Sequence, residues 1–405
     1  MDELPVELTY ILLLFGLFVV PRALQRFGVP TALTSLALGA FSGIGLGLFQ
    51  HDTTIEILSI FGIVSLFLLA GLEVDTRELR AGARVIGEHL GLRVASTALV
   101  AFVLLRLAYL DVRAAVLVAL ALLTPSTGFI LDSLGTFPVS EQDRFWIRSK
   151  AIASELLALF VLFVTVQANS AWQLGLSSVV LAAGVAALPF GFRGFARWVA
   201  PFAPRSEFSF LMILAVLSAY ATRTLGVYYL VGAFVVGVTA RGVRARVPNV
   251  SSGETVRAVE LFASFFVPFY FFRAGTKLRP GDFSLDAILV GISFLAAVIP
   301  FRVGLVALHR MLSLRQSLLE ALRVALALQP TLVFTLVIAQ SLRDEFALPA
   351  PFFGGLVLYA LANTTLPSLL SRIPPPAYDL PCTGDHEDTS AAAVPNHSST
   401  ARTHP

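Results

Sequence analysis

The sequence predicts an all-α polytopic membrane protein with about thirteen transmembrane helices, arranged as inverted-topology repeats around two discontinuous helices. Three observations carry this. The 405 residues are 56% hydrophobic and only 14% charged, where a soluble domain carries about 25% charged residues; mean hydropathy is +0.80. Apolar segments with few charges recur, long enough to cross a hydrocarbon core of about 30 Å. Two short motifs repeat at one sequence offset.

Thirteen spans are predicted, at 6–20, 28–49, 55–72, 84–105, 113–131, 147–167, 172–190, 207–222, 225–240, 256–274, 284–308, 317–341 and 349–370. The first, eighth and ninth are short. Residues 1–371 form one transmembrane domain, with repeats over about 1–190 and 205–370. The start of the chain is acidic (Asp2, Glu3), unlike a signal peptide, so the first apolar stretch is expected to remain as a helix. Residues 372–405 are polar and rich in Pro, Ser and Thr, and read as a disordered cytoplasmic tail. Cys382, the single cysteine, lies there, so no intramolecular disulfide is expected.

The pI of about 9.2 accompanies a net charge of only +3. The basic residues sit singly between apolar segments, which excludes a nucleic-acid surface. They read as topology signals instead. With the N-terminus outside, eighteen Lys and Arg fall in inside loops, Lys150 and Arg310 among them, against seven outside. The bias predicts an odd number of spans, N-terminus out and C-terminus in, in a bacterial-type inner (plasma) membrane.

Residues 67–79, FLLAGLEVDTREL, are echoed by residues 271–283, FFRAGTKLRPGDF, at an offset of 204. Leu122-Leu123-Thr124-Pro125-Ser126 is echoed by Ala327-Leu328-Gln329-Pro330-Thr331 at an offset of 205. Each pair is seven spans apart, so the copies cross the membrane in opposite directions. This is the inverted repeat of secondary transporters.

Pro125 and Pro330 fall inside the fifth and twelfth spans, beside Thr124, Ser126 and Thr127 in one and Gln329 and Thr331 in the other. Proline removes a donor and frees a carbonyl. In lipid such freed groups survive only where protein or a water-filled cavity satisfies them. Paired breaks in two repeats point to an ion site near the membrane midplane. Glu155 is the one acidic residue deep in a span. A carboxylate there costs at least about 2.5–3.5 kcal/mol to insert, and it can hold either a proton or a monovalent cation. Arg302, in the eleventh span, can pair with Glu155, hold helix-break carbonyls or snorkel to the interface. Arg93, in the fourth, is more ambiguous still. Glu88-His89 lacks a second histidine at helical spacing, and no Cys/His cluster or phosphate-binding glycine loop appears. Neither an enzyme nor a cofactor is expected.

At these residues the chain resembles the cation:proton antiporter superfamily, in particular its second branch of bacterial-type sodium or potassium/proton exchangers, over nearly all of residues 5–370. Leu24 to Thr31 resembles the family's first loop and its "lGlP" turn. Phe67-Leu68-Leu69-Ala70-Gly71-Leu72-Glu73-Val74-Asp75 is similar to the "LFlaGLE-D" signature, and Phe266 to Gly275 resembles "PlFFv-vG". The resemblance implies the sodium/proton antiporter fold, a dimerisation domain beside a mobile core that holds two crossed broken helices, and a homodimer in the lipid bilayer. It implies Na+ or K+ and H+ as cargo. A paired acid motif of the family falls at Ser154-Glu155, which departs from it: Glu155 takes the ion-binding place, and Ser154 stands where relatives carry a carboxylate or amide. Arg302 takes the place of the family's basic residue. Many relatives add a nucleotide-binding regulatory domain, which residues 372–405 are too short to form. With Glu155 as the lone titratable site group, exchange is expected to be electroneutral. The alternatives are a sodium-coupled organic solute carrier and a transport-inactive membrane scaffold or sensor.

Overall fold

The computed structural model describes residues 5–371, except 28, 135–139, 168–170, 204, 225–228 and 245–246. The predicted tail, 372–405, and Cys382 lie outside the described residues. Every regular element among the described residues is helical, and helices occur in order at all thirteen predicted spans. They are α1 (Val6–Gln25), α2 (Thr31–Ala40, continued by a π turn at Phe41–Gly45), α3 (Thr53–Leu72), the short α4 (Thr76–Ala81), α5 (Ala83–Leu107), α6 (Val112–Leu123), α7 (Thr127–Leu134), α8 (Glu141–Gln167), α9 (Ala171–Trp198), α10 (Glu207–Thr224), α11 (Tyr229–Gly242), α12 (Gly253–Thr276), α13 (Leu285–Leu314), α14 (Leu318–Ala327), α15 (Leu332–Phe346) and α16 (Ala350–Ser371). The fifth span is split into α6 and α7, and the twelfth into α14 and α15, with a bend of 49° between the latter two. Chain entry into the helices is set by local caps. Asp52 accepts from the Ile55 amide, Ser252 from that of Thr255 and Ser284 from that of Ala287, while Ser317 and Glu320 form a capping box at α14.

The helices sort into two lobes. In one, α3 packs along α11 and α12, α2 along α12 and α1, and α10 along α11. In the other, α5 and α8 flank α6, α13 lies along α16 and α14, and α15 crosses between α6 and α16. The repeat motif explains how the first lobe is held. A Cβ on Gly71 would overlap the Phe234 carbonyl of α11, and one on Gly237 of α11 would overlap the Leu68 carbonyl in return. Gly275, the repeat counterpart of Gly71, meets α2 in the same way: its Cβ would overlap the Leu36 carbonyl, and that of Gly39 the Phe272 carbonyl. The Ala-Gly of both motifs therefore lets two helix backbones touch. Lipid gives apolar helices no hydrophobic reason to associate, so such close packing carries the association.

Two residues counted as inside-loop charges lie elsewhere. Lys150 and Arg310 are completely buried, in the bodies of α8 and α13. Helix α8 starts at Glu141, before its apolar stretch, and α13 continues to Leu314, so hydropathy alone set those boundaries too far inward.

Gly71→Ala is expected to destabilise the protein by about 1–3 kcal/mol, because the backbone it touches cannot recede. Gly87→Ala, whose added methyl would meet open space in α5, is expected to leave the thermal midpoint in detergent unchanged or slightly raised. Equal midpoints for the two variants would contradict the close-packing account.

Candidate functional site

The two breaks meet in the second lobe. Helix α6 stops at Leu123, and Thr124 is extended (φ −81°, ψ 121°) ahead of Pro125. Helix α14 stops at Ala327, and Thr331 leads into α15 after Pro330. The breaks are joined directly. The Ser126 amide donates to the Pro330 carbonyl at 2.8 Å, and the Thr335 hydroxyl donates to the Ala121 carbonyl at 2.7 Å. Two breaks thus make four half-helix ends, each leaving backbone groups unpaired and each carrying a partial charge of roughly half a unit.

Each end has a partner of the appropriate kind. At the C-terminal end of α6, Arg93 from α5 donates to the Leu123 carbonyl at 2.7 Å, and Tyr359 from α16 to that of Leu122 at 2.8 Å. At the C-terminal end of α14, Arg302 from α13 donates to the Leu328 and Gln329 carbonyls at 2.9 and 3.0 Å, and Asn363 to that of Gln329 at 2.6 Å. Arg302 also donates to the Tyr359 hydroxyl at 2.9 Å. At the N-terminal end of α15, the Ser126 hydroxyl accepts from the Val333 and Phe334 amides at 3.1 and 3.3 Å. At the N-terminal end of α7, the Thr127 amide donates to Glu155 Oε2 at 3.2 Å. Cations thus sit on both negative ends, and the one carboxylate sits on a positive end.

The structure brings together Thr124, Pro125, Ser126, Thr127, Gln329, Pro330, Thr331, Arg302 and Glu155. Every polar one of these is buried. Arg302 does not snorkel, being 1% exposed, and its charge is met by carbonyls. No ion pair joins it to Glu155 among the described residues. Ser154 is turned elsewhere: its hydroxyl lies 3.1 Å from His89 Nε2. Two oxygens around the breaks have no protein partner: Gln329 Oε1 and Asn363 Oδ1. Unpaired buried acceptors are rare in folded proteins and call for a ligand or water. No group of three or more His, Cys, Asp or Glu fit to hold a metal ion occurs among the described residues. Any ion held here is bound through one carboxylate and neutral oxygens, a donor set suited to hard cations.

Tyr359 and Asn363 escaped the sequence reading, and Arg93 was ambiguous in it. The signal was the repeat itself. Arg93 and Arg302 are 209 residues apart, one helical turn beyond the motif offset, and Tyr359 stands 204 residues after Glu155.

A half-open cavity of about 510 Å³ lies between the lobes. Glu56 of α3, Arg223 of α10 and Arg273 of α12 line it from one side, and Gln340, Asp344 and Glu345 of α15 from the other. These residues belong to the end that the charge bias puts outside.

Removing the Arg93 guanidinium, as Arg93→Met, is expected to cost about 1.5–3 kcal/mol, the range for a hydrogen bond to a charged group. Arg302→Met, which loses three such bonds, is expected to cost more. Thermal unfolding of both variants in detergent checks the order; a neutral Arg302→Met would contradict the capping role.

Comparison with known proteins bears on the family and the fold. The profile of the family described as "Sodium/hydrogen exchanger, transmembrane" matches residues 11–373. The chain is 32% identical to "Probable Na(+)/H(+) antiporter 3" of Methanocaldococcus jannaschii, over 20% of this chain and 26% of that protein. It is 26% identical to "Putative Na(+)/H(+) antiporter YjbQ" of Bacillus subtilis, over 66% of this chain and 47% of that protein. The matches thus span less than half the length of either relative. In fold, the chain superposes on the sodium proton antiporter MjNhaP1 of Methanocaldococcus jannaschii at pH 8 with a TM-score of 0.62 and 14% identity, covering 90% of this chain and 94% of that one.

Proposed function

The chain belongs to the sodium/hydrogen exchanger transmembrane family, is an integral membrane protein and has the antiporter fold; from that premise we propose that it exchanges a monovalent cation for protons by alternating access, with Glu155 as the shared site. The observation that carries the reading is the Glu155 carboxylate, buried against the N-terminal end of α7 with no ion pair among the described residues. Ionised, its hydrogen bonds come from Thr127 alone among the described residues. A desolvated carboxylate with so few donors is unstable alone. A proton or a cation relieves it equally well, and binding one removes the charge that holds the other. That mutual exclusion is what an antiporter requires.

Sodium is the first cation to test, because both relatives carry Na(+) in their names; potassium is the second. Exchange of one proton for one cation follows from the group count. The other buried carboxylates among the described residues, Asp143 and Asp282, are engaged by Arg310 and Arg343. Ser154 carries no charge at any stage, since a hydroxyl that passes a proton on is left neutral, and the arginines stay charged. Arg93 and Arg302 hold helix ends and so keep the breaks open to the ion without competing for it. The cavity between the lobes gives alternating access its outer vestibule, with the second lobe moving the site past the glycine-locked first. The N-terminus lies outside in this account, so cysteines introduced at positions 77 and 279 label from the inside and outside respectively.

Purified protein in proteoliposomes is expected to show sodium-dependent proton flux that Glu155→Gln abolishes. A potassium-diffusion potential set with valinomycin is expected to leave the end point of sodium/proton exchange unchanged. Normal flux in Glu155→Gln would refute the shared site, and an end point that follows the sign of the potential would refute one-to-one exchange.

A further inference from the structure

We propose that Glu88, His309, Lys150, His89 and Ser154 form a proton relay from the predicted inner surface to the neighbourhood of Glu155. This inference rests on the exchange reading given above and names how its protons arrive. The need for a path is physical. Glu155 is buried, and an apolar cluster of Ile130, Ile147, Ala151, Val306, Ala325 and Leu328 packs from α7, α8, α13 and α14 beside the breaks. Such packing admits no proton. Beside it runs one file of polar side chains.

Glu88, on α5, is 36% exposed and begins the file at the surface. Its Oε1 accepts from Arg84 at 3.1 Å, and its Oε2 from the Ser313 hydroxyl at 2.7 Å. That same Oε2 lies 3.6 Å from His309 Nε2 of α13. The opposite ring nitrogen, Nδ1, lies 3.1 Å from Lys150 Nζ of α8. The His309 and His89 rings are 5.8 Å apart, and His89 Nε2 lies 3.1 Å from the Ser154 hydroxyl. Ser154 precedes Glu155 in α8. Three helices, α5, α8 and α13, thus contribute these five side chains to a line that leads inward. The remaining ring nitrogens, His89 Nδ1 and His309 Nε2, are buried without a hydrogen-bond partner. They are where water would complete the file, since a polar contact beyond 3.5 Å is ordinarily bridged.

The charges facing the file are Arg84 and Glu88 from α5, with Arg93 further along it; Lys150 from α8; and Arg310 from α13, which is paired with Asp143. Lys150 has no carboxylate partner among the described residues. A lysine completely buried against a histidine is costly as a fixed structural charge, but a neutral amine there is a proton acceptor. The transfers balance. A proton on Glu88 passes to His309 Nε2, giving an imidazolium. The imidazolium releases its Nδ1 proton to the Lys150 amine, forming an ammonium and a neutral ring. The ammonium passes a proton to His89 through water, the Ser154 hydroxyl takes it from Nε2 while releasing its own inward, and each group returns to its starting charge. The relay stores nothing over a cycle, so one-to-one exchange is unaffected.

The test is proton-limited exchange in proteoliposomes at low buffer concentration, with and without added imidazole. His309→Gln is expected to slow sodium-driven proton uptake from the inner side by about 10²-fold, the low end for loss of a positioned proton carrier. Imidazole, a diffusible carrier, is expected to restore most of the rate, which it would not do for a merely distorted protein. Glu88→Gln, at the surface and able to keep its Ser313 hydrogen bond, is expected to behave the same way and stands in if His309→Gln does not fold. Wild-type rates in the folded variants, or a slowing that imidazole leaves untouched, would overturn the relay while leaving exchange intact. Absence of cation-dependent proton flux in the wild type would overturn the exchange reading and the relay with it.

Discussion

A backbone that leaves its helix inside a membrane must find new partners for every freed amide and carbonyl, and this demand organises the second lobe. In hydrocarbon an unsatisfied peptide group costs several kcal/mol. Pro125 and Pro330 create such groups deliberately, since each removes a donor and ends the helix before it. The partners supplied are not interchangeable. Arginines take the carbonyl ends, where the helix dipole is negative, and a serine hydroxyl and a glutamate take the amide ends. Packing of α5, α8 and α13 around the breaks follows from the need to deliver Arg93, Glu155 and Arg302, and α16 adds Tyr359 and Asn363.

The two repeats solve the same problem almost identically, and the difference between them makes the site. Arg93 and Arg302 are equivalent caps from equivalent helices. At the amide ends the equivalence fails: α15 is capped by Ser126, a neutral group from the opposite break, whereas α7 is capped by Glu155 from α8. Across the repeat from Glu155, α16 presents Tyr359, which bridges Arg302 and the Leu122 carbonyl. In one copy of the repeat the amide end is therefore met by a neutral hydroxyl. The other retains a carboxylate held by Thr127 alone among the described residues, and that deficit is what a proton or cation can fill.

Much of this was legible in the sequence, for reasons that show where such reading stops. Proline inside an apolar span and a carboxylate at mid-span are each costly enough to announce themselves, so Pro125, Pro330 and Glu155 stood out singly. The Ala-Gly motifs were visible as a repeat, but their reason, backbone contact between α3 and α11 and between α12 and α2, needed the packed helices. Arg93 was ambiguous because a lone arginine in a span is also explained by snorkelling; only its alignment with Arg302 separates the readings. Lys150 and Arg310 read as loop charges because hydropathy falls where polar residues begin, while α8 and α13 continue through them as helix. Tyr359 and Asn363 left no hydropathy signal. Ser154 occupies the position that the family resemblance marked, yet its hydroxyl is turned to His89, which ties it to the proton's route rather than to the broken helices.

The central claim is that one carboxylate binds either a proton or a cation, and it is tested without transport by measuring the protons released when the cation binds. Titrating sodium into detergent-solubilised protein by calorimetry, in buffers of different ionisation enthalpy at a pH where Glu155 is protonated, yields that number directly. The account predicts about one proton released per sodium bound by the wild type, and neither binding heat nor release in Glu155→Gln. Sodium binding with no proton released, or undiminished release in Glu155→Gln, would contradict it.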